Sequence, residues 1–421
     1  MSRLLKGDFV YRNSTPLMVT GTEGCRLQTP DCSFLDFQAS SGTAILGYDR
    51  TLLTGIDALS APVAKPQTGE SRLRMVYAER LETLIFQALG RRGFLGLELG
   101  GAQAIELALK VALSQHQRVT LFVIDGAYHG RSLFTSHLSA SRRYTLGTHL
   151  GVPVVRLANP CLVAERTGLS LDAATDLCLK EVEDQFHDER LGVVDPSGAS
   201  PILIYEAIQN VAGMLDLPAR YLQRLEALVH EHGGLSIVDE IFSGLYRFGP
   251  LFCHASKDLS PDIVAFSKGL TNGITPLSAI WVAEDTGLAE TFKPGTHSCT
   301  YLNYELGLTV ADRVLDRLEE LNLVRVRGIG ERFLAAIKSH LPNGLIQSSF
   351  AQGSVVRLDF DGEGQTARSS EALMCARPTG ILHATTGLAK RSLIFHPPYI
   401  VSNEEIVLAA EIIGSAMRDA A

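Results

Sequence analysis

The chain has 421 residues, 46% apolar and 20% charged, with a formal net charge of −8 and a pI near 5.9. At roughly 150 residues per domain this length gives about two or three domains, and the composition is globular rather than disordered. The acidic balance argues against a nucleic-acid partner, no apolar run approaches the roughly 20 residues that span a membrane, and the opening MSRLLKGDFVYRNSTP has no apolar signal core, so a cytoplasmic enzyme is expected.

Residues 1–55 read as irregular, with short strands. In residues 102–113, Ile105, Ala108, Leu109 and Ala112 recur at i, i+3, i+4, i+7 spacing, which predicts an amphipathic helix. Short apolar runs follow: VTLFVID (119–125), ILIYE (202–206), LSIVDE (235–240), DIVAFS (262–267) and SAIWVA (278–283). Such runs suit strands buried on both faces, as in a mostly parallel sheet covered by helices. A second helix is predicted over 219–232 and stops at Gly233-Gly234. Its His230 and His232 are too close for helical i,i+4 metal ligands and read as a cation pair at the helix C-terminus. After about residue 305 long helices are expected, then strands over 354–360 and 392–396. The seven cysteines form no C-x-x-C pair, so they read as reduced thiols, with no metal site implied.

The chemistry concentrates at two strand ends. Asp239 ends one buried run, and a buried carboxylate is costly unless a cation or strong donor faces it. A pyridinium N–H is such a partner. Lys268 follows the next buried run, and a lysine there either snorkels or serves as a Schiff-base amine. Alone, each residue is an ordinary strand-end charge. As a pair on successive strands they fall where open α/β sheets bind ligands.

These residues lie in D-E-I-x-x-G-x-x-R-x-G (239–249) and P-D-I-V-x-x-S-K-G-L-T-x-G-x-x-P-L-S-A (261–279), an ordered pattern that resembles the class III aminotransferases of pyridoxal-phosphate (PLP) fold type I. The resemblance covers roughly residues 20–415. It implies a large PLP-binding domain over 56–305, and a smaller α+β domain made of residues 1–55 and 306–421. It implies that Lys268 carries PLP as a Schiff base, that Asp239 bonds the pyridine nitrogen, and that Ile241 packs on the ring. LGGAQAIELALKVA (99–112) resembles the family's phosphate-binding helix start, with Gly101, Ala102 and Gln103 at the N-terminus and Ala102 replacing the usual hydroxyl. GAYHGRS (126–132) implies that Tyr128 stacks on the ring. IYEAIQNVAGM (204–214) supplies Glu206 and Gln209. Many members carry a glutamine where this chain has Phe242, so the cofactor's phenolic oxygen is assigned to Gln209. Thr300, in GTHSCTY (295–301), implies a phosphate contact with a neighbouring subunit, hence a homodimer with shared sites.

Two departures bear on substrate. Many members that act on amino acids place an arginine three residues before the P-P pair, to fork a carboxylate. Here that position is Ile394, and the position of the glutamate that shields the arginine in ornithine- and 4-aminobutyrate-type members is Val211. An apolar pair does not bind a carboxylate. Either one substrate lacks the carboxylate, as in an amine, amino sugar or biosynthetic intermediate, or the fork comes from Arg391, Arg72 or Arg74. The expected reaction is ping-pong transfer between an amino donor and a carbonyl acceptor. A racemase, epimerase or decarboxylase on the same fold, and a non-catalytic protein that kept the fold, are the alternatives. Gly328-x-Gly330 lacks the third glycine of a dinucleotide-binding loop.

Overall fold

The structure, a computed structural model, describes residues 17–56, 69–116, 118–140, 151–190, 192–194, 197–301, 304–342, 344–387 and 390–420. The polar opening 1–16 lies outside the described residues. A seven-stranded sheet forms the centre, in the order Gly93–Glu98, Ser278–Ala283, Ile263–Phe266, Leu235–Asp239, Ser200–Tyr205, Val119–Ile124, Val154–Leu157. Six strands run in one direction; Ser278–Ala283 alone is antiparallel to both of its neighbours. All five apolar runs are therefore strands of one sheet. Their interior residues are buried because helices cover both faces.

The helix Gly101–Leu113 lies on one face and buries Ile105, Ala108, Leu109 and Ala112. Leu121, Val123, Ile202, Ile204, Ile237 and Ile263 belong to the same apolar cluster. The helix Ala219–Glu231 covers the other face with Tyr221, Leu222, Leu225 and Leu228. At its end His230 Nε2 lies 2.8 Å from Asp262, which holds the imidazole's pKa above its usual value, whereas His232 Nδ1 bonds the Leu228 carbonyl. The pair therefore splits, His230 onto a carboxylate and His232 onto a backbone carbonyl. Among the described residues all seven cysteines are free thiols, and no helix is long and apolar enough to cross a membrane.

Both ends of the chain meet in a second sheet. Ser33–Asp36 pairs in parallel with Thr379–Leu382, and Arg26–Gln28 and Gly21–Glu23 extend it antiparallel. A third sheet, Ser348–Gln352, Val355–Asp359, Ser392–Phe395 and Ala384–Thr386, is wholly antiparallel. The helices Glu305–Glu320, Leu323–Arg327, Ile329–His340 and Asn403–Ala420 complete the C-terminal third.

Candidate active site

Four adjacent parallel strands deliver the chemistry to one edge of the central sheet. Lys268 lies two residues beyond Ile263–Phe266, Asp239 ends Leu235–Asp239, Glu206 follows Ser200–Tyr205, and Tyr128 sits in the loop after Val119–Ile124. Their side chains line one cavity of about 260 Å³, with Gly101, Ala102 and Ile241 in the same wall. Eight of the ten residues singled out in the sequence thus fall at the mouth of one sheet or at the helix start beside it, and seven of them line the cavity.

Asp239 is 5% exposed. Its Oδ1 accepts from the Ile241 N–H at 3.0 Å and its Oδ2 from His129 Nδ1 at 2.9 Å. His129 is held in turn by its own N–H to Ser139 Oγ, and its buried Nε2 has no partner among the described residues. Glu206 accepts from the backbone N–H groups of Tyr128, at 2.8 Å, and Asn210. Burial, and then the charge of Asp239, push its carboxyl up to about 8. Lys268 moves the other way. Burial, and then the Arg247 guanidinium, bring its amine down to about 8 against the pull of Asp239 and Glu206. An amine so placed is unprotonated for a useful fraction of the time near neutral pH, as a nucleophile must be. Lys268 also has φ = 43°, a left-handed conformation rare for a side-chain-bearing residue and typical of functional sites.

The helix beginning at Gly101 has Gly100 as its N-cap, with no side-chain capping bond. Ala104 N–H closes the first turn on the Gly100 carbonyl, and Ser278 Oγ donates to that same carbonyl. The N–H groups of Gly101, Ala102 and Gln103 precede the first helical bond, the position at which helix starts accept anions. The Gln103 side chain does not enter the cavity: it lies against Gly100.

Gln209 lies apart from the seven residues that line the cavity. It is fully buried. Its Oε1 accepts from Asn159 at 2.8 Å and its Nε2 donates to the Ile124 carbonyl, so its amide ties the Asn159 loop to the end of Val119–Ile124. Asn210, its neighbour, reaches the cavity. Thr300 is exposed and outside the cavity of its own chain. Its segment is tied along the helix Gly101–Leu113 by His297 to Glu98, just before the helix start, at 2.6 Å and by Lys110, in the last turn, to the Thr296 carbonyl.

Sequence reasoning missed His129 and Arg247 as neighbours of the site, although both stand inside the quoted patterns, and read Phe242 only as a replaced glutamine. Phe242 is 7% exposed and lines the cavity, its ring centroid 4.7 Å from Lys268 Nζ. Ile394 is fully buried in the third sheet, opposite Arg357 on one strand and Ala384 on the other. Arg391 pairs with Glu165 in a separate cavity of about 440 Å³, and Arg74 pairs with Glu70 at 2.6 Å. Among the described residues the only arginine in the catalytic cavity wall is Arg131, an exposed residue.

The profile of the aminotransferase class-III family matches residues 9–417. The chain belongs to the class III aminotransferases. It is 26% identical over 419 residues to the acetylornithine aminotransferase of Haemophilus ducreyi, covering 96% of this chain and 94% of that protein. It is 27% identical over 320 residues to the 5-aminovalerate aminotransferase of Pseudomonas aeruginosa, covering 74% and 71%. The crystal structure of an amine transaminase from an uncultivated Pseudomonas species, in its PLP-bound form, superposes with a TM-score of 0.85 over 100% of this chain and 98% of that one, at 21% identity. The fold is therefore PLP fold type I, and this class III member is a PLP-dependent aminotransferase with an amino donor and a carbonyl acceptor as substrates. The residues fit the cofactor: a carboxylate facing the cavity from the sheet floor, an enclosed amine beside it, and open N–H groups at a helix start on the same wall.

Proposed function

We propose that this aminotransferase acts on a substrate pair of which at least one member, an amine, an amino sugar or a biosynthetic intermediate, carries no carboxylate at the reacting carbon. The observation behind this reading is the apolar, fully buried Ile394 where the sequence comparison expects a carboxylate fork. Two of the three substitutes named from the sequence are committed elsewhere, Arg391 to Glu165 and Arg74 to Glu70. A relative named for 5-aminovalerate acts on a compound whose amine is remote from its carboxylate, which suits the same geometry.

When bound, PLP supplies the electron sink that stabilises negative charge on the donor carbon. Lys268 Nζ would hold the cofactor and, when free, would be the group that moves the proton of the donor carbon. Asp239, oriented by His129, keeps a proton on the pyridine nitrogen. The N–H groups of Gly101, Ala102 and Gln103 bind the phosphate, and Tyr128 and Ile241 pack on the ring. Thr300 reaches the phosphate site of a partner subunit, which makes the enzyme a homodimer. Seven unpaired thiols suit a cytoplasmic location.

The test is a kinetic comparison of matched donors and acceptors with and without an α-carboxylate. At least one half-reaction should prefer the compound without it. Ile394→Arg should not help that compound, since it buries an unpaired guanidinium. A requirement for the carboxylate in every productive donor and acceptor, lost on removing Arg391, would instead place the fork at Arg391.

A further inference from the structure

We propose that Arg247 is a positioning residue for amino transfer: its guanidinium, buried behind the Phe242 ring without a carboxylate partner, keeps the Lys268 amine unprotonated. This rests on the role proposed above for Lys268.

Arg247 is 1% exposed. Its Nε donates to the Phe242 carbonyl at 2.8 Å and one terminal nitrogen donates to the Gly42 carbonyl. The other terminal nitrogen is buried with no partner among the described residues. Burial lowers its pKa from the usual arginine value, and Tyr399 partly opposes this. A buried guanidinium facing only carbonyls is costly for stability, which calls for a compensating role. Its Cζ and the Lys268 Nζ each lie 4.7 Å from the centroid of the same Phe242 ring. The two cations are thus no farther apart than twice that distance, with an apolar plate beside both. The plate is locked: a Cβ at Gly42 would meet the Phe242 ring at 2.9 Å. The ring of His396 packs edge-on to Phe242 at 5.4 Å, and burial, Arg247 and Lys268 hold that imidazole well below its usual range, so it adds no charge.

The other charged groups of the cavity are Asp239, with His129 behind it, Glu206, and Arg131, exposed in the wall with its guanidinium 5.8 Å from the Tyr128 ring centroid. Both carboxylates favour a protonated lysine. Arg247 is the counterweight. Arginine suits this place because a lysine or histidine buried there would release its proton, whereas a guanidinium keeps its charge.

The experiment uses the full-length enzyme loaded with pyridoxamine phosphate, which leaves Lys268 free. Cyanate labelling of Lys268 is followed by peptide mass spectrometry across pH. The wild-type midpoint should lie below the ordinary lysine value. Arg247→Gln, which keeps donors for the two carbonyls, should raise it by roughly one pH unit. Arg247→Met, which buries no new donor, should do the same if the glutamine variant does not fold. The acid limb of the kcat profile should move up in parallel, with activity recovered at high pH. A wild-type midpoint near the ordinary lysine value of about 10.4, or an unmoved midpoint in a variant that loads cofactor, overturns the inference. A borohydride-reducible adduct surviving in Lys268→Ala would instead overturn the assignment of Lys268 itself.

Discussion

Lys268 combines a left-handed backbone, which costs about 1–3 kcal/mol, with an amine that its surroundings hold down to about 8. Both effects oppose folding, so Lys268→Ala should leave the fold intact while abolishing the borohydride-reducible cofactor adduct. The linkage can be read from pH-dependent denaturation of the cofactor-free chain. Between about 8 and 10.5 the unfolded lysine binds a proton that the folded one lacks, so Lys268 makes stability rise with pH across that window. Glu206, raised from 4.5 to about 8, binds its proton in the folded state first, so its contribution falls over that lower window. The alkaline rise should be smaller in Lys268→Ala; an identical pH profile in both proteins would mean that the amine is not perturbed. Asp239→Asn should still bind PLP but lose about 10²–10³ in kcat, the usual cost of removing one preorganised electrostatic group. Near-normal turnover with the best donor would remove Asp239 from the electron-sink role.

At the scale of elements, the strand ends and helix starts matter more than the elements themselves. Lys268 and Asp239 were legible because each closes an unbroken apolar run. Gly93–Glu98 was not, since Gly96 interrupts its run; a Cβ there would lie 3.0 Å from Ile280 and 3.1 Å from Leu107, so close packing against neighbours erases the sequence signal. That the Gln209 side chain points away from the cavity was not legible, because its strand, Ile208–Gln209, is two residues long, and apolar alternation sets no direction over so short a span. His129 and Arg247 act through contacts made only in three dimensions. The helix start at Gly101 makes its own prediction. Gly130 has φ = 124°, and a Cβ there would lie 2.8 Å from the Ala102 Cβ. Gly130→Ala therefore strains the loop and pushes on the phosphate-binding turn. PLP retention should weaken by roughly tenfold, as about 1.4 kcal/mol would give, measured by dialysis and cofactor absorbance. Unchanged retention would separate this loop from the phosphate site.

For the whole molecule, α/β character and a mostly parallel sheet followed from composition and run length, but the reversal of Ser278–Ala283 and the strand order did not. Alternation encodes burial and not direction. If Thr300 completes a partner's phosphate site, mass measurement of the active enzyme should give a dimer or a multiple of one, and Thr300→Ala should loosen cofactor in step with subunit dissociation. An active monomer would contradict this. The joining of the chain's two ends has a consequence for its biosynthesis. Ser33 and Thr379, paired across adjacent strands, are 346 positions apart. A ribosome delivers the first strand on the order of tens of seconds before the second. Throughout that interval one edge of Ser33–Asp36 presents unpaired peptide groups, the kind of edge that recruits other strands. The nascent enzyme should therefore depend on chaperones until residue 382 has emerged, and chains cut short before residue 379 should aggregate even though every residue lining the catalytic cavity has already been made.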